Sequence, residues 1–137
     1  MDLVIERELP CEPGAAYDLW LSAESLASWW WPHISDTRYL IDARLGGGYE
    51  ISSTGAGIGV RGEILSLEAG EEIGMTWNWM NDGVSEVAEK VWVRFVPIAG
   101  GTLVSVTHEL DDAAGDGGDL KQGWRDVLAR LAAVCNA

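Results

Sequence analysis

The sequence predicts an α+β domain in which a curved antiparallel sheet of six to seven strands wraps a long C-terminal helix, with two short helices after the first strand. Three observations predict it. Between residues 37 and 110, short segments rich in β-branched and aromatic residues alternate with glycine-bearing connectors. Beyond residue 118 the apolar period switches to 3.6, placing Leu120, Trp124, Val127, Leu128, Leu131 and Val134 on one stripe. A lone amphipathic helix has to bury its stripe, and the sheet is the only large surface on offer.

Taken in order, residues 2–9 read as a strand bounded by Pro10. Pro13 sits where a helix can begin, because the first turn tolerates a missing N–H. Ala16, Leu19 and Trp20 follow at helical spacing. Ser22 is placed to cap a second short helix running to Ser28, which carries Leu26 inward, and Pro32 stops it. Strands are expected near 37–43, 48–53, 58–67, 72–80, 86–97 and 102–110. The connectors Gly46-Gly47-Gly48, Thr54-Gly55-Ala56-Gly57, Glu68-Ala69-Gly70, Asn81-Asp82-Gly83 and Ala99-Gly100-Gly101 supply residues that tolerate positive φ. Successive hairpins build a meander. A twisted sheet of this size curls, and Gly59, Gly62 and Gly74 mark places for it to bend. Residues 111–118 form an acidic loop whose spacing does not fit a calcium-binding EF-hand, so it reads as a solvated loop beside the pocket. Asp119 stands near the start of the last helix, where a carboxylate suits the helix dipole.

Composition narrows the function classes. A chain of 137 residues makes one domain, 1–137, and 47% hydrophobic against 23% charged residues excludes disorder. No apolar run reaches the roughly 18–20 residues needed to cross a bilayer, and the first residues lack the basic and apolar regions of a signal peptide, so a cytoplasmic location is expected. Nine basic residues against 22 acidic ones give a net charge of −13, which argues against nucleic acid and anionic membrane as partners. Cys11 and Cys135 are far apart in sequence and show no CxxC spacing, so neither a disulfide framework nor a thiolate zinc site is expected. With only His33 and His108 as imidazoles, no metal and no cofactor is expected.

Several segments resemble a known family. They are Tyr17-Asp18-Leu19-Trp20, Trp29-Trp30-Trp31-Pro32, Asp42-Ala43-Arg44-Leu45-Gly46-Gly47 and Arg61-Gly62-Glu63-Ile64. Met75-Thr76-Trp77-Asn78-Trp79, Gly101-Thr102-Leu103-Val104, Thr107-His108 and Gly123-Trp124 with Leu128 follow in the same order. Together they resemble the activator of heat-shock-protein ATPase homologue-like group of the START-like (SRPBCC) superfamily. The resemblance implies a helix-grip fold with a cavity between sheet and C-terminal helix. It implies no particular reaction, since one fold hosts carriers, receptors and cyclases.

The candidate ligand-binding residues follow from the strand and helix faces. Trp77 and Trp79 share one face of a strand with Met75 and offer a flat apolar wall to a lipid, aromatic or polyketide-like molecule, or else fill the core. His108 falls on the face of Val104 and Val106, near Trp124 and Leu128 of the helix stripe. Tyr49 and Trp30 complete the set. A small apolar molecule is thus the expected partner, bound without catalysis. In a second reading His108 serves as acid–base for a cyclase- or hydrolase-like enzyme in the same pocket, although a core histidine bonded to a neighbour is the plainer account. No carboxylate is assigned beside it. In a third, tryptophans near 29–31 are exposed and dock a protein partner, or one of Trp29 and Trp31 gates the pocket. A homodimer paired through edge strands is a further partner arrangement. Arg44 reads as a clamp to Asp42 or Glu63, and the glycine run after it is no phosphate loop, because a strand and not a helix follows.

Overall fold

A computed structural model describes residues 2–81, 84–85, 89–110 and 118–135. The elements are β1 (Asp2–Leu9), α1 (Pro13–Asp18), α2 (Ala23–Trp29), β2 (Arg38–Ile41), β3 (Gly48–Ser53), β4 (Ile58–Glu68), β5 (Glu72–Asn81), β6 (Val84–Ser85), β7 (Glu89–Ile98), β8 (Gly101–Glu109) and α3 (Gly118–Cys135). The strands form one antiparallel sheet in the order β1-β8-β7-β5-β4-β3-β2, with β6 folded back on β5. This is the predicted curved sheet with its long C-terminal helix, the helix-grip arrangement. Among the described residues no helix is long and apolar enough to cross a membrane.

Period-two alternation decides what the sheet buries. The inward residues are Leu3, Ile5 and Leu9 of β1, Val91, Val93 and Phe95 of β7, and Thr102, Val104, Val106 and His108 of β8. β5 contributes Ile73, Met75 and Trp77; β4 contributes Val60 and Ile64; β3 contributes Tyr49, Ile51 and Ser53. The α3 stripe meets them with Trp124, Val127, Leu128 and Leu131, all buried, and the helix lies along β1 with α2 beside it.

Two short helices appear where proline and serine place them. Pro13 opens α1. The Ser22 hydroxyl accepts the Ser25 N–H at 3.1 Å and caps α2. Replacing Ser22 with alanine should therefore lower unfolding stability by about 1 kcal/mol in urea titration; no change would show that the cap contributes nothing.

The boundaries depart from expectation at two points. The two-residue strand β6 (Val84–Ser85), a return on β5, is not among the expected strands, and the strand expected over 86–97 is observed as β7 from Glu89 to Ile98; residues 86–88 lie outside the described set. β2 ends at Ile41 and not at residue 43, because a tight turn intervenes: Arg44 N–H donates to the Asp42 carbonyl and Gly47 N–H to the Arg44 carbonyl. A Cβ on Gly47 would stand 2.0 Å from the Asp42 oxygen, so only glycine fits this turn. The acidic stretch 111–117 and the side chain of Asp119 lie outside the described residues.

The sheet bends where glycine allows it. At Gly62 a Cβ would fall 2.1 Å from the Thr76 carbonyl oxygen. Between the pairs Arg61↔Asn78 and Ile64↔Met75 the β4–β5 ladder opens. The Tyr49 hydroxyl, reaching across from β3, donates to the Thr76 carbonyl at 2.6 Å, and the Thr76 hydroxyl accepts the Glu63 N–H at 2.8 Å. The register then slips between Ile64 and Ser66. Such a break curves the sheet and leaves its polar groups satisfied.

Candidate functional site

The concave side of the sheet is filled by indoles. Trp20 ends the α1 turn, Trp29 and Trp30 close α2, Trp77 rises from β5, and Trp124 descends from α3. All five are at most 4% exposed, so they are interior groups and not a surface. Trp77 and Trp124 lie 5.2 Å apart between ring centroids, Trp30 and Trp124 meet edge to face at 5.5 Å, and Trp20 stacks on Trp124 at 6.3 Å. These are favourable offset and T-shaped geometries, each contributing about 0.5–1.5 kcal/mol beyond simple burial.

Trp31 turns the other way. Its φ of +52° is the left-handed region, which costs a bulky L-residue about 1–2 kcal/mol. That reversal after α2 leaves Trp30 inside and lays Trp31 across Trp79, edge to face at 6.0 Å, with both rings half-buried. Trp29 and Trp30 are therefore not available for docking. The Trp29 indole donates to the Leu19 carbonyl at 3.0 Å. The eighth tryptophan, Trp92, lies over Gly74 and bonds the Glu109 carboxylate.

One void opens beside this cluster, about 20 Å³ in volume. It is bordered by Trp20, Trp30, Tyr49, Met75 and Trp77 and by the isoleucines of β2–β5. It could hold one water by size, but its walls are nearly all carbon, and such a space stays dry. It lies under the short helices, and no residue of α3 borders it. The buried Nε1–H groups of Trp20 and Trp30 have no hydrogen-bond partner.

The sequence-predicted residues fall into three places. Trp30, Tyr49 and Trp77 border the void. His108 and Trp124 stand behind Trp77, the imidazole 5.2 Å from it, and Leu128 is fully buried on α3. Trp79 is half-buried against the edge of the core, under Trp31. Although Trp77 and Trp79 share a strand face, the β5–β7 ladder ends at Trp77, so Trp79 lies beyond it. Burial raises the Tyr49 hydroxyl far above its ordinary range, so it keeps its proton and donates it in a hydrogen bond to the Thr76 carbonyl.

His108 is the buried polar centre. It is fully buried, and its Nδ1 accepts the Trp124 Nε1–H at 3.1 Å. That fixes the other nitrogen as the donor, and Nε2–H points to Glu89 Oε1 at 2.8 Å. Glu89 is the carboxylate that sequence reasoning missed. The signal was present: Val91, Val93 and Phe95 face inward, so the same parity sends Glu89 inward as well. Arg44 forms the expected clamp with Asp42 at 2.7 Å, on the surface.

Burial lowers the His108 pKa from its usual 6.5, and the opposing pull of Glu89 does not cancel that. The unfolded chain consequently binds the proton more readily than the folded one. Stability from this source is whole above about pH 6.5 and falls as the pH drops below it. A wild-type Tm that declines between about pH 7 and 5.5 more steeply than that of His108→Gln is the expected result; equal slopes would assign the decline to carboxylates elsewhere.

The family model described as Activator of Hsp90 ATPase homolog 1-like protein matches residues 10–136. None of the curated proteins matches the chain. Among solved structures, a Chromobacterium violaceum protein is 24% identical with a TM-score of 0.78, covering 99% of this chain and 97% of its own. A Mesorhizobium loti protein reaches a TM-score of 0.83 at 18% identity, with coverage of 99% and 97%. An Aeromonas hydrophila protein described as AHSA1-like is 22% identical with a TM-score of 0.75, covering 99% of this chain and 92% of its own.

Proposed function

Since the chain belongs to the family of Activator of Hsp90 ATPase homolog 1-like proteins, we propose that it binds a small apolar or aromatic molecule in its tryptophan-lined interior. The observation that carries this reading is the carbon-walled void bordered by Trp20 and Trp30, two rings whose buried N–H groups lack acceptors. A buried donor without a partner costs about 1–3 kcal/mol, which a ligand carbonyl or ether oxygen would return. Ligand pockets of this kind span roughly 300–1,000 Å³, so the interior opens to admit its guest. Entry past Trp31 and Trp79 fits the strain held at Trp31.

The role is binding and not turnover. Both His108 nitrogens are engaged by Trp124 and Glu89, which leaves the imidazole no site for a substrate proton.

Native mass spectrometry of freshly purified protein is expected to show a co-purifying small molecule. Titration of the delipidated protein, followed by tryptophan fluorescence, should give saturable binding of an aromatic ketone. The matched hydrocarbon should bind roughly 5–10-fold more weakly. Absence of both a co-purifying molecule and saturable binding would sink the proposal.

A further inference from the structure

Cys11 and Cys135 are the only cysteines and stand near opposite ends of the sequence. The fold brings them together. Cys11 follows β1 and precedes α1, Cys135 is the last residue of α3, and α3 lies along β1. Both are free thiols, half-buried at the margin of the core. Trp124 anchors α3 on His108 at one end of β8, and the Cys11 carbonyl is bound to Thr102 near the other end, toward which α3 runs along β1. The Cys11 side chain lies near enough to Cys135 to raise its pKa. Each is held in place from the other side. The Cys11 carbonyl accepts the hydroxyl of the fully buried Thr102 at 2.7 Å, and Leu131, one turn before Cys135, is fully buried. Among the described residues no third ligand joins them, so the pair is not a metal site.

We infer that Cys11 and Cys135 form a dithiol site that a low-molecular-weight disulfide of the glutathione type oxidises to an intramolecular disulfide, fastening the end of α3 to the segment after β1. Burial and the contact with Cys11 push the Cys135 thiol up to about 12, so Cys135 keeps its proton and Cys11 attacks first. The Cys11 thiolate attacks one sulfur of the small disulfide. That S–S bond breaks, one small thiolate leaves, and it takes up a proton equal to the one Cys11 lost. The Cys135 sulfur then displaces the second small thiol from the mixed disulfide and passes its own proton to it. Two protein thiols are oxidised, and one small disulfide is reduced to two thiols. The product holds in place the helix that carries Trp124 and Leu128 over the indole cluster.

The test uses the folded full chain and oxidised glutathione. Thiol titration with Ellman's reagent and intact mass under denaturing, non-reducing conditions are the readouts. Both thiols should disappear together, with the mass lowered by two hydrogens and no glutathione retained. Tm should rise by roughly 5–15 °C and return on reduction with dithiothreitol. Cys135→Ser should instead hold one glutathione on Cys11, and Cys135→Ala should report the same adduct if the serine variant folds poorly. A lasting glutathione adduct on the wild type, a disulfide-linked dimer, or two thiols surviving prolonged oxidation would each overturn the inference.

Discussion

Replacing Trp124 with alanine is expected to lower the unfolding free energy by about 3–5 kcal/mol from packing alone. The ring touches Trp20, Trp30 and Trp77 and is 2% exposed, so little of the space it leaves can collapse. The loss also strips His108 Nδ1 of its donor inside a sealed core, which adds roughly 1–3 kcal/mol. Trp124→Phe separates the two effects in part: it keeps one aromatic ring in the cluster but loses the five-membered ring with its N–H, so it should cost the second amount plus a packing loss smaller than that of the alanine variant. Chemical denaturation of the three proteins decides the matter. A cost below about 1 kcal/mol for the alanine variant would mean that α3 does not close the aromatic interior.

The second large effect is expected at Leu128, one turn further along the same stripe. It is completely buried, and Leu128→Ala should cost about 2–5 kcal/mol. No polar partner complicates the result, so it measures the grip of the sheet on the helix directly. A change under about 0.5 kcal/mol would put the residue at the surface.

Much of the fold could be read from the sequence because the signals were local. The apolar stripe of α3, the alternation along β8 and the serine cap of α2 all depend on neighbours within a turn or a strand. Glu89 depended on the same parity, but a charged residue at the end of a strand is ordinarily solvated, and only the partner strand supplies the reason for burying it. Three features were not legible. The contact of Cys11 with Cys135 and the location of the void both depend on packing between distant elements. The reversal at Trp31 places a bulky side chain in a conformation that its residue type disfavours. The site was legible as a list of residue types on inward faces. How those indoles divide between filling space and bordering it is a matter of volume, which no periodicity reports.

The pairing of β1 with β8 along the full length of the first strand has a bearing on how the molecule is made. Strand β1 leaves the ribosome well ahead of β8 and has to wait for it before its backbone amides find partners. Contacts so widely separated in sequence slow folding, since the loop entropy is spent before any ladder is gained. Until residues 101–109 emerge, the nascent chain carries a strand whose backbone is unpaired on both sides, and a co-translational chaperone should be found there.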